Sequence, residues 1–538
     1  MTAAAPHQRP ARHSVAFQRS VLTVVALAAL AIAVVGFYQY QAYYVDDAFI
    51  SLRYCRNLIE GNGLTWNPGE RIEGYSNFLY IILTAAVGRL GIDLIAASRV
   101  VGIAAYIILA LFIILRVWRR AGREPDTTSA LTIPLVISVS SLPIIIWSLG
   151  GLEASLFALF VTAGIWLFAD AIENGRSPVA AGALFALAAM TRPEGVFFFL
   201  GAVTFGLLSR ISARRIRISA IIRMAALFIV IFGVYYLWRF IYYGDPLPNT
   251  YYAKSGFYAG KAFLGYVYMV KFFMAAPFIL AIMLFEVVHT TIDRRWTLAI
   301  SFLVTMTVGY LGYVIAIGGD HMSGFRFVAP IIPTCALAVY YMLRPVAASL
   351  PRYVGLLMPA GVLFLSAYQL VEPGPHTGAA RQIDPTVFVG RIIARQIVAD
   401  WPPGSLIALN TAGSVPYYAP QNRYIDMLGL VDTVIARREV SSRKTLPRER
   451  VPGHEKGDGR YVVSRRPDYI ILGPTWGQPS WSPYFRSDAE IAGSQEFRRG
   501  YKKYEVPIDV TVYPDYARYR ATRKGKLTFT YYQRSPDP

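Results

Sequence analysis

Two adjacent acids, Asp46 and Asp47, stand where a hydrophobic run ends and a long polar stretch begins. Charge at a membrane boundary is costly to keep, so the pair marks a candidate site. A carboxylate so placed can take the proton of an attacking hydroxyl in a single displacement at a sugar carbon. Neighbouring helical residues point about 100° apart, so the two acids divide the work. Asp46 is assigned as the base and Asp47 as a positioning group or a ligand for a divalent cation (Mg or Mn), which the chemistry allows without requiring. Lys254 falls just past the end of an apolar run, at headgroup depth, where an ammonium can hold a lipid phosphate as charge develops on it. Arg192, Asn249, Tyr252, His321 and Arg326 are further candidates for donor or phosphate binding. Glu73, Glu153, Glu194 and Asp320 are candidates for acceptor binding or positioning. Structural alternatives stand beside these roles. Arg192 and Glu194 flank Pro193 and suit an ion pair that stabilises a turn, Arg326 suits a partner for Asp320, and lysines near helix ends also snorkel. No second histidine lies at ligand spacing from His321, so a metal held there is not expected.

These residues need elements to present them, and hydropathy supplies those elements. Of 538 residues, 55% are hydrophobic and 16% charged, with a mean hydropathy of +0.40, which describes a polytopic α-helical membrane protein. The net charge of +20 sits in short loops between apolar runs, so it reads as topology rather than as a nucleic-acid surface. Cys55 and Cys335 form no disulfide framework. Arg9, Arg12 and Arg19 precede a first apolar run at 21–36, read as an uncleaved anchor entered from the cytoplasm. Further runs lie near 95–117, 129–149, 152–171, 220–242, 262–287, 297–318, 326–343 and 353–371, with two shorter ones flanking 191–195. Residues 78–90 rise only about 20 Å, short of a roughly 30 Å hydrocarbon core, and are assigned to the outer interface. That choice puts Arg119, Arg120, Arg123, Arg176, Arg210, Arg214, Arg215, Arg217, Arg294, Arg295, Arg344 and Arg352 inside. About eleven spans follow, with the N-terminus cytoplasmic and the C-terminus outside. The candidate acids and bases then converge on the outer face, chiefly in a first outer loop at 41–94 and a second at 243–262.

Hydropathy ends at residue 371, dividing a membrane domain, 1–371, from a soluble extracytoplasmic domain, 372–538. Runs at 405–410 and 468–473 read as buried strands and 387–401 as a helix, which predicts an α/β fold. Asn410, Tyr417, Tyr418 and Asp426 fall near strand ends, where either sugar recognition or a packed network fits. Residues 437–460, rich in Arg, Glu, Lys and Gly, read as a mobile surface loop.

At these motifs the chain resembles the GT-C class of polytopic glycosyltransferases, which use polyprenyl-phosphate sugars. The stretches that carry the resemblance are 46–63, beginning Asp46-Asp47 and ending Gly61-Asn62-Gly63; 66–77, with Asn67-Pro68-Gly69-Glu70-Arg71-Ile72-Glu73; Thr191-Arg192-Pro193-Glu194-Gly195; 248–254; and Gly318-Gly319-Asp320-His321-Met322. Within the class, the first two stretches are similar to the mycobacterial terminal β-1,2-arabinofuranosyltransferase family, which uses decaprenyl-phosphoryl arabinose. Gly74-Tyr75-Ser76-Asn77 departs from that pattern, and the donor sugar stays open. The resemblance implies inverting transfer from a polyprenyl-phosphate donor to a cell-envelope glycan, at the outer face of the cytoplasmic membrane. It maps the catalytic acid onto Asp46 or Asp47 and the lipid-carrier loop onto Lys254. A phosphate leaving group needs no protonating acid, so one carboxylate base suffices. Two rivals fit parts of the same pattern: a transporter or flippase of lipid-linked saccharides, and an inactive scaffold whose tail binds glycan.

Overall fold

The computed structural model of the chain describes residues 15–121, 128–213, 216–254, 259–347, 352–440, 453–519 and 525–536. Arg9, Arg12, Arg123, Arg214 and Arg215, positions 255–258 and positions 441–452 lie outside these residues. The helices run in chain order as α1 (Val15–Tyr40), α2 (Asp46–Ile59), α3 (Phe78–Gly88), α4 (Leu94–Arg120), α5 (Thr128–Val139), α6 (Leu142–Leu149), α7 (Ala154–Asn174), α8 (Val179–Thr191), α9 (Gly195–Ala213) and α10 (Ile218–Tyr243). They continue as α11 (Asn249–Lys254), α12 (Ala259–Ala275), α13 (Pro277–Ile292), α14 (Leu298–Ala316), α15 (Ile332–Ala347) and α16 (Arg352–Val371).

Among the described residues, the apolar runs become seven helices long and apolar enough to cross a membrane, two bent helix pairs, and the shorter helices α8 and α9. The chain is a multi-pass membrane protein. Its outer wall is apolar where water would penalise it: α10 exposes Ile229, Val230, Val234 and Ile241. The 11 residues of α3 are too short to span and pack against α2 and α4, as their length predicts. The run at 262–287 is broken into α12 and α13, bent by 96° at Ala276. Pro277 has no N–H to donate and pushes the preceding residue out of the helical region, where Ala276 sits at φ −135° and ψ 59°. Pro193 acts the same way between α8 and α9, leaving Arg192 extended at φ −153°.

Beyond α16 come α17 (Pro375–Gly378), α18 (Pro385–Asp400), β1 (Leu406–Leu409), α19 (Ser414–Tyr418) and β2 (Arg423–Asp426). β3 (Tyr469–Ile471), β4 (Tyr501–Asp509) and β5 (Lys526–Arg534) complete a five-stranded sheet of order β2-β1-β3-β5-β4. β1 pairs in parallel with β2 and β3, and β5 runs antiparallel to β3 and β4. One face of this sheet shares a continuous apolar core with the helices, with Phe388, Ile393, Ile407 and Phe529 in the same cluster as α1 and α7.

The C-terminal region is fastened to α2 and the segment that follows it by buried polar contacts. Arg53 of α2 donates to the carbonyls of Trp66, Pro416 and Asn422, with Tyr424 and Trp66 rings about its guanidinium. Asn67 exchanges hydrogen bonds with the backbone of Tyr424. Gly74 is needed where the two meet, because a Cβ there would stand 2.0 Å from Val431.

Candidate active site

Asp46 and Asp47 form the first turn of α2, where unpaired N–H groups and the helix dipole favour negative charge. Asp46 is covered from the far end of the sequence. Its Oδ1 accepts hydrogen bonds from the Ser414 backbone N at 2.9 Å and the Ser414 Oγ at 2.5 Å. A Cβ on Gly413 would stand 2.1 Å from the Asp46 carbonyl oxygen and 2.4 Å from its Oδ2, so only glycine fits there. Burial pushes the Asp46 carboxyl up from its ordinary value of 3.8 to about 7; the Ser414 bonds pull it back, while Asp384 and Asp47 add to the rise. Both Asp46 and Asp47 are half-buried. Asp384 caps α18 through the Thr386 N–H at 2.8 Å, and burial raises its carboxyl too.

Opposite these acids lie the cations. Lys254, at the end of α11, keeps open surface, yet desolvation by the surrounding protein lowers its ammonium, against the pull of Asp47. Arg326, Asp320 and Arg192 also act on it. Arg326 pairs with Asp320 at 2.9 Å, as the structural alternative anticipated. Burial alone would raise Asp320, but Arg326 and His321 hold it below the usual carboxylate range. Arg192 bridges Glu153 and Glu194, the latter at 2.8 Å, and Glu153 also accepts from Asn77 at 2.9 Å. The rings of Trp147 and Phe327 lie against Arg326, and Phe327 also lies against Arg192. Asp46, Asp47, Lys254, Asp320, His321 and Arg326 therefore gather at one end of the bundle, with the Glu153–Arg192–Glu194 network beside them.

Three candidates do not belong to this group. Glu73 is taken by Arg239 of α10 in a pair whose side chains are each 4% exposed. Asn249 donates to the carbonyls of Gly429 and Leu430, both at 2.9 Å, and so ties α11 to the C-terminal region. Tyr252 donates to Asp245 at 2.8 Å, with Arg437 stacked 4.4 Å from its ring. The helical turn explains the split: Asn249 and Lys254 are five residues apart on α11 and diverge by about 140°. Among the tail candidates, Asn410 bonds Asp488 and Gly473, and Asp426 accepts from the Leu428 and Val431 N–H groups, which is the packed network. Tyr417 and Tyr418 pack on Phe49 beside the acids.

Residues 453–458 correct the reading of 437–460 as a surface loop. Glu455 and Lys456 are buried, Glu455 pairs with Lys261 at 3.5 Å, and a Cβ on Gly453 would touch Lys254. His454 meets His321 with ring centroids 5.3 Å apart, a neighbour that sequence spacing hides. Asp384 and Ser414 are the other residues missed. The Asp384-Pro385 pair is legible as a helix cap, but nothing local links either residue to Asp46. Among the described residues, no group of three or more His, Cys, Asp or Glu side chains could hold a metal ion.

A domain of unknown function, DUF8728, matches residues 379–524, the part that supplies Asp384 and Ser414. Two solved structures share the fold over most of the chain: ArnT from Cupriavidus metallidurans bound to undecaprenyl phosphate, and the same protein in the apo state. The first is 15% identical with a TM-score of 0.51, over 77% of this chain and 87% of ArnT. The second is 16% identical with a TM-score of 0.50, over 79% and 90%. The chain has a GT-C fold. The chain is also similar to the terminal β-(1→2)-arabinofuranosyltransferases of Mycobacterium tuberculosis and Corynebacterium glutamicum, each at 27% identity. Those matches cover 54% and 53% of this chain, and 51% and 46% of the relatives. The chain thus spans about half the length of the curated relatives it matches.

Proposed function

We propose that this chain is an inverting glycosyltransferase that moves a sugar from a polyprenyl-phosphate donor to a cell-envelope glycan at the outer face of the cytoplasmic membrane. Its C-terminal region lies on that outer side and its N-terminus is cytoplasmic. The relatives' names favour arabinofuranose as the sugar, and the ArnT complex favours a lipid-phosphate donor. The observation that carries the reading is Asp46, a carboxyl poised near neutrality at the same end of the bundle as Lys254 and Arg326. A base with that affinity is half ionised at working pH and still strong enough to take a hydroxyl proton.

In this mechanism Asp46 removes the proton from the acceptor hydroxyl, and that oxygen attacks the anomeric carbon. The bond from that carbon to the phosphate oxygen breaks, and polyprenyl phosphate leaves with the electron pair. Lys254 and Arg326 take up the developing charge, in a site where water is displaced and such contacts gain strength. Asp47 balances Lys254 when no phosphate is present and orients the acceptor.

The test is transfer of labelled sugar from synthetic short-chain polyprenyl-phosphate donors by the purified chain, with Asp46→Asn and Asp47→Asn alongside. Transfer abolished by Asp46→Asn in folded protein supports the reading, and the donor accepted names the sugar. Transfer that survives the substitution removes Asp46 from the chemistry. No transfer across a broad donor and acceptor panel favours a carrier of lipid-linked saccharides. A chelator added to the same assay tests the divalent cation.

A further inference from the structure

Arg326 takes its direction from the residue before it. Phe325 lies in the segment between α14 and α15, with its backbone in the left-handed region at φ 55°. Among the described residues, two other non-glycine residues share a positive φ, Arg294 and Arg466, and both are exposed, whereas Phe325 is buried. A bulky residue keeps that conformation only where its surroundings fix it, and such positions gather at functional sites.

The surroundings here are specific. The Phe325 ring stacks on His376 of α17, with centroids 4.3 Å apart and planes at 13°. It meets Phe272 and Tyr268 of α12 edge-on, at 5.4 and 5.6 Å. Gly324 is held from two sides. Its N–H donates to the carbonyl oxygen and to Nδ1 of His376, both at 3.2 Å, and its carbonyl accepts from Trp147 Nε1 at 3.0 Å. A Cβ on Gly324 would stand 2.7 Å from Ile146.

The left-handed turn sends successive side chains two ways. Phe325 goes to α12 and α17, while Arg326 goes to Asp320 and the face of Trp147. Trp147 also packs edge-on against Tyr43, whose hydroxyl donates to the Ser323 carbonyl at 2.9 Å. Tyr43 stands three residues before Asp46, so the segment that aims the arginine is bonded to the one that leads into the acid pair.

We propose that Phe325 and His376 are positioning residues that hold Arg326 toward the donor phosphate. The inference rests on the role given to Arg326 above. Neither residue touches the reacting atoms: His376 fixes the Phe325 turn, and the turn fixes the arginine.

The test is binding of farnesyl phosphate to the purified full chain in detergent, followed by calorimetry, with farnesol as the phosphate-free control. Wild type, His376→Ala, Arg326→Ala and the double variant form a cycle. The expected result is that His376→Ala weakens farnesyl phosphate about tenfold and leaves farnesol unchanged, as displacement of a preorganised contact does. In the Arg326→Ala background the same substitution should change affinity less than about twofold, because both residues act through one contact. An equal loss in both backgrounds is what packing alone produces, and it overturns the proposal, as does wild-type affinity in His376→Ala; the role of Arg326 survives either result. Arg326→Ala that binds farnesyl phosphate like wild type overturns both. An unchanged Tm shows that the variants are folded. His376→Phe keeps a ring over Phe325 and removes only the Nδ1 acceptor, so the same cycle run with it decides the matter if His376→Ala melts early.

Discussion

Asp46 carries a pH signature. With its carboxyl raised to about 7, transfer should rise with pH through that value as the base ionises. Asp46→Asn should lower kcat by about 10²–10⁴-fold, the usual contribution of a general base. Ser414 Oγ donates to the same oxygen and favours the ionised form, so Ser414→Ala should move the limb of the kcat/KM profile upward in pH; an unmoved limb would detach Ser414 from the base. Stability follows the opposite sign. The folded chain holds the Asp46 proton more tightly than the unfolded chain, whose carboxyl titrates near 3.8. This group's contribution is therefore full below about pH 4 and is lost as pH rises through about 7. At pH 8 Asp46→Asn should melt above wild type, and the gap should close below pH 4.

Elements depend on pairs that the reaction does not use. The Glu73–Arg239 pair ties the segment between α2 and α3 to α10, and neither side chain is more than 4% exposed. Glu73→Ala leaves a buried guanidinium unpaired, a change that costs about 3–5 kcal/mol. Thermal melts of that variant in detergent should show the loss, whereas Glu73→Ala melting like wild type would mean that water reaches Arg239. The bend at Ala276 and the break at Pro193 belong to the same scale. Each has a proline at the break, and of the two only the run at 262–287 reads in sequence as one apolar helix.

Across the whole molecule, the site is built by two regions nearly four hundred residues apart. Ser414 lies 368 positions from Asp46, and the loop that carries it approaches so closely that Gly413 has no room for a side chain. Gly413→Val should lift this loop from Asp46 and reduce transfer by about 10²-fold or more, since losing a preorganised contact at a catalytic group has effects of that size. Membrane insertion, judged by extraction and by gel-filtration profile, should be unchanged. A variant that keeps full activity would show that the C-terminal region covers the acid without setting its chemistry.

What the chain shows by itself is local. Long apolar runs, the short rise of α3, the acid pair at a helix start and the strands near 406–409 and 469–471 all follow from hydropathy and helix length over a dozen or so residues. The motifs at 46–63 and 191–195 also pointed to the GT-C fold before any coordinates did. Only tertiary structure decided which charges were free for chemistry. Glu73 and Asn249 also stood as candidates in sequence, yet a buried polar group must find a partner, and theirs were Arg239 and the backbone at 429–430. Asp384, Ser414 and His454 escaped notice because their meaning lies in contacts across hundreds of residues, which no local period encodes.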